Sequence, residues 1–366
     1  MHFGDALPDE RLQALLAPGD GISTVLTADV YGAGEADALL GRTLAGRDRE
    51  SYCLVGAVGH DFYAGERDGP KGFPRFTDAR LRGPDGYFDY LRMATERSLL
   101  RCGSDRFDLL LLHNPDQIGY RDPAVWEAMT RLREDGLTRR IGVAPGPANG
   151  FTLDFIDCVE RYGEVIDWAM LILNPLEPWP GELALDAAAT HDVKVIARVV
   201  DYGGLFHGDV RPGHVFAPGD HRGFRPAGWV EAGYARLERM RPIAERHGLT
   251  VLQLACAWDL AHPAVACVAP TLIQETGPDA RPVEDKRREL AELPRQNPLS
   301  PAEVQEIRAI GDNTGSMTLK GASPDHDGAD RPDAWSLGPD LREVARRWEI
   351  DPERDLRRTL VAPTPA

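Results

Sequence analysis

Histidines, tyrosines and carboxylates stand at the ends of apolar runs, where a chain built of strands presents side chains to a ligand. Tyr31 closes Thr27-Ala28-Asp29-Val30-Tyr31, and His113 closes a run of four leucines and is followed by Asn114-Pro115-Asp116. His60 and Asp61 come just after the run ending at Val58, Asn174 follows Leu171-Ile172-Leu173, and Arg198, Asp201 and Tyr202 end the run that begins at Lys194. A phenol, imidazoles and carboxylates gathered in one pocket can trade protons with a substrate. The expected catalytic set is Tyr31, His113, Asp29, His60 and Asp61, with Asn114, Asn174, Arg198, Asp201 and Tyr202 as substrate-binding groups. The guanidinium of Arg198 suits a carboxylate or a phosphate, which it can grip with two N–H groups. Two histidines and two carboxylates are also a set of metal ligands. No H-x-H or H-E-x-x-H spacing brings them together in sequence, however, so no metal is expected.

The elements that must position these groups alternate along the chain. Strands are expected at Ser23–Leu26, Tyr52–Val58, Phe107–His113, Arg140–Val143, Trp168–Leu173, Lys194–Val200 and Val265–Val268. They are apolar without strict alternation, as strands buried on both faces are. A first strand near His2–Gly4 would complete eight. Amphipathic helices are expected between them, at Pro8–Leu16, Glu35–Leu44, Tyr87–Cys102, Val125–Glu134, Thr152–Tyr162, Trp229–His247 and Val251–His262. Thr250 with Gln253 forms a capping-box pattern, Pro123 suits a first helical turn, and Gly136 and Gly163 are placed to end helices in a left-handed conformation. This alternation predicts an α/β chain of repeated βα units around a parallel sheet, and eight such units would make a TIM (β/α)8 barrel, here with a C-terminal extension. Three connections, Gly59–Pro84, Tyr202–Ala227 and Thr271–Pro298, are long, and each follows a strand, on the face where such barrels carry active sites.

Composition narrows the partners. The 366 residues are 42% apolar and 27% charged, enough for a sizeable core, and the net charge of −16 argues against nucleic acid and against an anionic membrane as partners. Five cysteines without C-x-x-C spacing point to reduced thiols. With neither a signal pattern at the N-terminus nor an apolar run approaching 18 residues, a cytoplasmic protein with a small-molecule substrate is expected.

Three stretches resemble the aldo/keto reductase family, in the family's order: Thr27–Glu35, Asp108–Asp116 and Gly136–Val143. The likeness covers roughly residues 20–275 and continues weakly to about 312, so the barrel is expected over 1–312 and a loop-rich extension with a short helix over 313–366. The resemblance implies a Tyr that protonates a carbonyl, here Tyr31, and a His that orients the substrate, here His113. The family's partner Asp falls on Leu26 and its Lys on Ala57. The two losses agree with each other, since a buried Asp without the cation would be an unpaired charge. The Ser-Asn pair that holds the nicotinamide amide falls on Ala144-Pro145, and the Gln on Met170. The late phosphate-clasping segment becomes Pro270–Glu275, with the basic cluster Lys286-Arg287-Arg288 displaced downstream. With these groups missing, the expectation is an enzyme of this fold that has lost its cofactor and performs cofactor-independent acid/base chemistry, as a lyase, dehydratase or isomerase on a small hydroxy or carbonyl compound. An NADP-dependent carbonyl oxidoreductase with a rearranged cofactor site is one alternative, and a non-catalytic binding or regulatory barrel another.

Overall fold

Seven short apolar segments pair side by side in chain order in the computed structural model, which describes residues 4, 6–19, 21–68, 72–146, 151–277, 280–315, 330 and 335–356. They are β1 (Thr24–Leu26), β2 (Cys53–Val58), β3 (Leu109–His113), β4 (Ile141–Ala144), β5 (Trp168–Ile172), β6 (Lys194–Arg198) and β7 (Val265–Ala269). All neighbours are parallel, in the order β1-β2-β3-β4-β5-β6-β7. Parallel neighbours need a crossover, and helices supply it. In chain order these are α1 (Asp9–Leu16), α2 (Glu35–Leu44), α3 (Tyr87–Cys102), α4 (Gln117–Arg121), α5 (Pro123–Glu134), α6 (Phe151–Tyr162), α7 (Leu185–Thr190), α8 (Trp229–Arg246), α9 (Val251–Asp259), α10 (Val283–Ala291), α11 (Pro301–Ile310), α12 (Pro339–Arg347) and α13 (Pro352–Asp355).

Alternation along each strand splits the apolar residues into two cores. Leu54, Val58, Leu110, Leu112, Val143, Leu171 and Val195 join the large core under the helices. Val55, Ala57, Leu109, Leu111, Ala144, Met170 and Ile196 form a separate inner cluster, joined by Leu26, Trp168 and Cys267. A sheet curled so that one face packs on itself is a barrel wall, and the fold is the (β/α)8 barrel. The strand expected at His2–Gly4 falls largely outside the described residues. Gly4 itself lies against the chain just after β7, where a Cβ would come within 2.1 Å of the Gln274 carbonyl.

Local signals in the sequence act largely as expected. Thr250 and Gln253 form a reciprocal capping box on α9, and Pro123 opens α5 with the Asp122 side chain capping Ala124. Gly136 has φ +77°, but Gly163 is not left-handed. It is needed for close packing instead, since a Cβ there would lie 2.5 Å from the Val159 carbonyl. The short helices α4 and α7 and the later α10 and α11 were not expected.

The three long connections are tied down. In the first, Phe76 N–H donates to the Gly59 carbonyl and Asp61 N–H to that of Pro74, each a long return of the chain to the end of β2. In the second, Arg222 is buried between Asp220 and Glu275. In the third, α10 carries Lys286, fully buried against Asp209 at 2.6 Å. Lys286 is therefore no phosphate ligand; nor is Arg287, which holds the Leu15 and Ala17 carbonyls. The described end of the extension lies on the helical flank, where Leu341, Val344 and Ala345 of α12 are buried and Trp335 donates its indole N–H to Asp154 of α6 at 3.0 Å. Asn313 exchanges side-chain hydrogen bonds with the Trp179 backbone.

Candidate active site

Three strand ends meet at the mouth. After β1 the chain turns through Gly32, Ala33 and Gly34, all at positive φ, and the turn opens on Tyr31. The glycine at 34 is required twice over, by φ +99° and by Arg101, whose Nε would lie 2.6 Å from a Cβ. β3 ends on His113, and Asn114 follows at φ +47°. β2 runs on through Gly59, where a Cβ would lie 2.7 Å from the His113 carbonyl, so the two strand ends touch backbone to backbone.

These turns bring Tyr31, His113 and His60 into a row. The Tyr31 ring meets His113 edge-on, centroids 5.8 Å apart, and His60 also meets His113 edge-on at 5.1 Å. His60 Nε2 lies 3.2 Å from Asn114 Nδ2, and its Nδ1 lies 3.2 Å from the Phe73 carbonyl and 3.1 Å from Arg75 Nη1. Arg75 also donates to the Asn114 carbonyl. From β6, Arg198 donates through Nη2 to the Pro145 carbonyl at 2.9 Å. Its Nε and the Nδ1 of His113 are buried without a partner, the kind of vacancy a polar ligand fills.

Burial sets the protonation states. Desolvation, then the charge of Arg75, pushes His60 down to about 3. Desolvation, His60, Arg198 and Arg75 hold His113 well below its ordinary range. Both imidazoles are neutral at pH 7. Tyr31 is 37% exposed, yet crowding by the protein raises its pKa, opposed by Arg198. The phenol is therefore protonated throughout the neutral range.

Other candidates are held elsewhere. Asp29 shares the parity of Thr27, which donates to Asp37 on the helix side, so Asp29 faces away from the inner wall. It is fully buried with neither oxygen partnered, and desolvation, then Asp37, raises its pKa far above the carboxylate range. Asp61 caps Tyr63 and Ala64 and pairs with Arg82. Asp201 staples two loops together by accepting from Gly204 and Thr271. Asn174 bridges Val199 and Leu176, and Tyr202 is buried against Trp229. Sequence reasoning missed Arg75 and Tyr120. Arg75 sits mid-loop with no local signal, and Tyr120 lies on the unexpected helix α4, fully buried and within the fields of Arg75 and Arg198.

Leu26, Ala57, Ala144 and Met170 all belong to the inner wall. Among the described residues no group of three or more His, Cys, Asp or Glu side chains is placed to hold a metal ion. Nor, among them, is any helix long and apolar enough to cross a membrane.

Residues 2–275 match the aldo/keto reductase family, and the chain belongs to it. It is similar to the 6-dehydroglucose reductase of Agrobacterium fabrum, with 30% identity over 136 residues, 37% of this chain and 42% of that protein. The chain spans about half the length, or less, of the curated relatives it matches. Its fold is that of an aldo-keto reductase from Bacillus halodurans in its holo form, with TM-score 0.58 and 22% identity over 88% of this chain and 95% of that one. A Klebsiella pneumoniae aldo/keto reductase, solved in complex with NADP and acetate, matches at TM-score 0.53 and 20% identity over 85% of this chain and 88% of that one. These findings overturn two expectations. Relatives named as reductases and dehydrogenases argue for an oxidoreductase over a cofactor-independent lyase, dehydratase or isomerase. Neighbours solved with NADP or NADPH argue against a chain that uses no cofactor. Three missing amide contacts were read as loss of the whole cofactor, although a dinucleotide is held at many points.

Proposed function

We propose that this chain is an NADP(H)-linked carbonyl oxidoreductase in which Tyr31 exchanges a proton with the carbonyl oxygen and His113 orients it. The observation that carries the reading is the edge contact of Tyr31 with His113 at 5.8 Å, at the mouth of a barrel of this family. A neutral imidazole orients by donating one hydrogen bond rather than by charge. A protonated phenol suits the reducing direction: as the carbonyl carbon is reduced, the proton leaves Tyr31 for the oxygen, and solvent restores it across the exposed part of the ring.

Leu26 and Ala57, at the positions matching the family's Asp and Lys, offer Tyr31 neither anion nor cation, and Arg198 supplies the positive field instead. The wall at Ala144, Pro145 and Met170 has no side-chain hydrogen bond for a carboxamide, and the Pro145 carbonyl is already taken by Arg198. The fit to a nicotinamide is incomplete there, and the work of these residues is confined to the proton side. The five free cysteines and the acidic composition support a cytoplasmic setting.

The test is NADPH consumption with a panel of aldehydes and ketones. Turnover is expected, and Tyr31→Phe should lower kcat/KM by about 10²-fold or more. No turnover with any carbonyl, or a Phe variant as active as the parent, would overturn the reading.

A further inference from the structure

One cation at the mouth has no carboxylate against it. Arg198 makes no ion pair among the described residues; Nη2 reaches only the Pro145 carbonyl, and Nε is buried and unpartnered. Groups on every side of it fail to compensate. Tyr31 on the β1 turn and Tyr120 on α4 are phenols, and His113 and His60 are imidazoles that burial keeps neutral. Carboxylates do not compensate it: Asp61 is on Arg82, Asp116 takes Thr77 and the Gly119 N–H, Asp201 staples its loops, and Asp29, though unpartnered, faces the helices. A chain of net charge −16 thus leaves Arg198 without a carboxylate partner among the described residues. A part-buried guanidinium without a counterion is held at a cost, and an incoming anion removes that cost.

We infer that the substrate is a carbonyl compound that also carries a carboxylate, received by Arg198. Nε and a neighbouring N–H of the same guanidinium form the two-pronged donor that a carboxylate fits, leaving Tyr31 and His113 for the carbonyl end. This deepens the proposed oxidoreductase and rests on it for the carbonyl, but the anion site itself is tested without turnover.

The experiment is calorimetric titration of the purified chain, with and without excess NADP+, using hydroxy acids of two to five carbons, each against its own neutral amide. At least one acid should bind tenfold or more tightly than its amide. Arg198→Gln should abolish that preference, and Arg198→Lys, which keeps the charge but not the planar fork, should retain part of it. Equal binding within every pair, no binding of any acid, or a preference that survives in Arg198→Gln would overturn the inference. Should the Gln variant fail to fold, the parent's preference and its reduction in the Lys variant decide the matter. Failure of NADPH consumption alone would sink the oxidoreductase reading and leave this measurement standing.

Discussion

At the scale of residues, the site is a contrast between groups that burial keeps neutral and one cation that it cannot neutralise. His60 has its pKa lowered to about 3, by desolvation first and Arg75 second. A depressed histidine stabilises the folded state fully above its unfolded value near 6.5, and that contribution is lost as pH falls toward 3. His60→Gln removes the titration. Its melting temperature should therefore fall less steeply than the parent's between about pH 6.5 and 3. Equal slopes would mean that His60 is not buried neutral. For Tyr31 the sign is opposite. Its raised pKa keeps the donor protonated, so the reduction rate should hold through the neutral range and decline only above about pH 10.

At the scale of elements, the row of rings depends on how closely β2 and β3 end together. Gly59 sits at φ +156°, and a Cβ there would lie 2.7 Å from the His113 carbonyl and 3.2 Å from its nitrogen. Both neighbours are backbone and cannot swing away. Gly59→Ala should cost about 1–3 kcal/mol, by analogy with overpacking, and should push His113 off its contact with Tyr31. Thermal unfolding measures the first effect. The second is measured as a loss of kcat/KM larger than that of Gly83→Ala, where a Cβ meets nothing within 4 Å. A Gly59→Ala protein as stable and active as the parent would show that the strand ends tolerate separation.

At the scale of the whole molecule, the described end of the extension, from Trp335 to Leu356, is packed on the barrel flank. Trp335 is 2% exposed, and its indole N–H ends on Asp154, whose pKa is pushed up to about 7 by burial, against the hydrogen bond from Trp335 and the charge of Arg121. A carboxyl raised in this way favours the folded arrangement while protonated. Its contribution is fully present below about pH 4 and is lost as pH rises through 7. Extension docking should therefore loosen between pH 5 and 8, read by proteolytic cutting near Leu341, and Asp154→Asn should remove most of that pH dependence. Cutting that speeds equally in both proteins would place the cause elsewhere.

Most of the strands, and the helices from Glu35–Leu44 to Val251–Asp259 other than α4 and α7, were legible in the chain. Apolar runs and 3.6-residue periodicity are local properties, and capping signals such as Thr250 with Gln253 lie within one turn. The nearness of Tyr31 to His113 was legible too, because one follows a strand and the other ends one, and both strands belong to one recognisable order. Only the tertiary structure decided which strand-end groups share the mouth. Asp29 is two residues from Tyr31 in sequence, yet strand parity, continued past β1, points it at the helices. Arg75 reaches His60 only because the 26-residue connection Gly59–Pro84 folds back on Gly59. That return is set by hydrogen bonds far apart in sequence, to which no local pattern corresponds. The charge left unpaired on Arg198 has the same origin: the sequence holds acidic residues enough to match it, and folding turns each of those nearby toward another partner or another face.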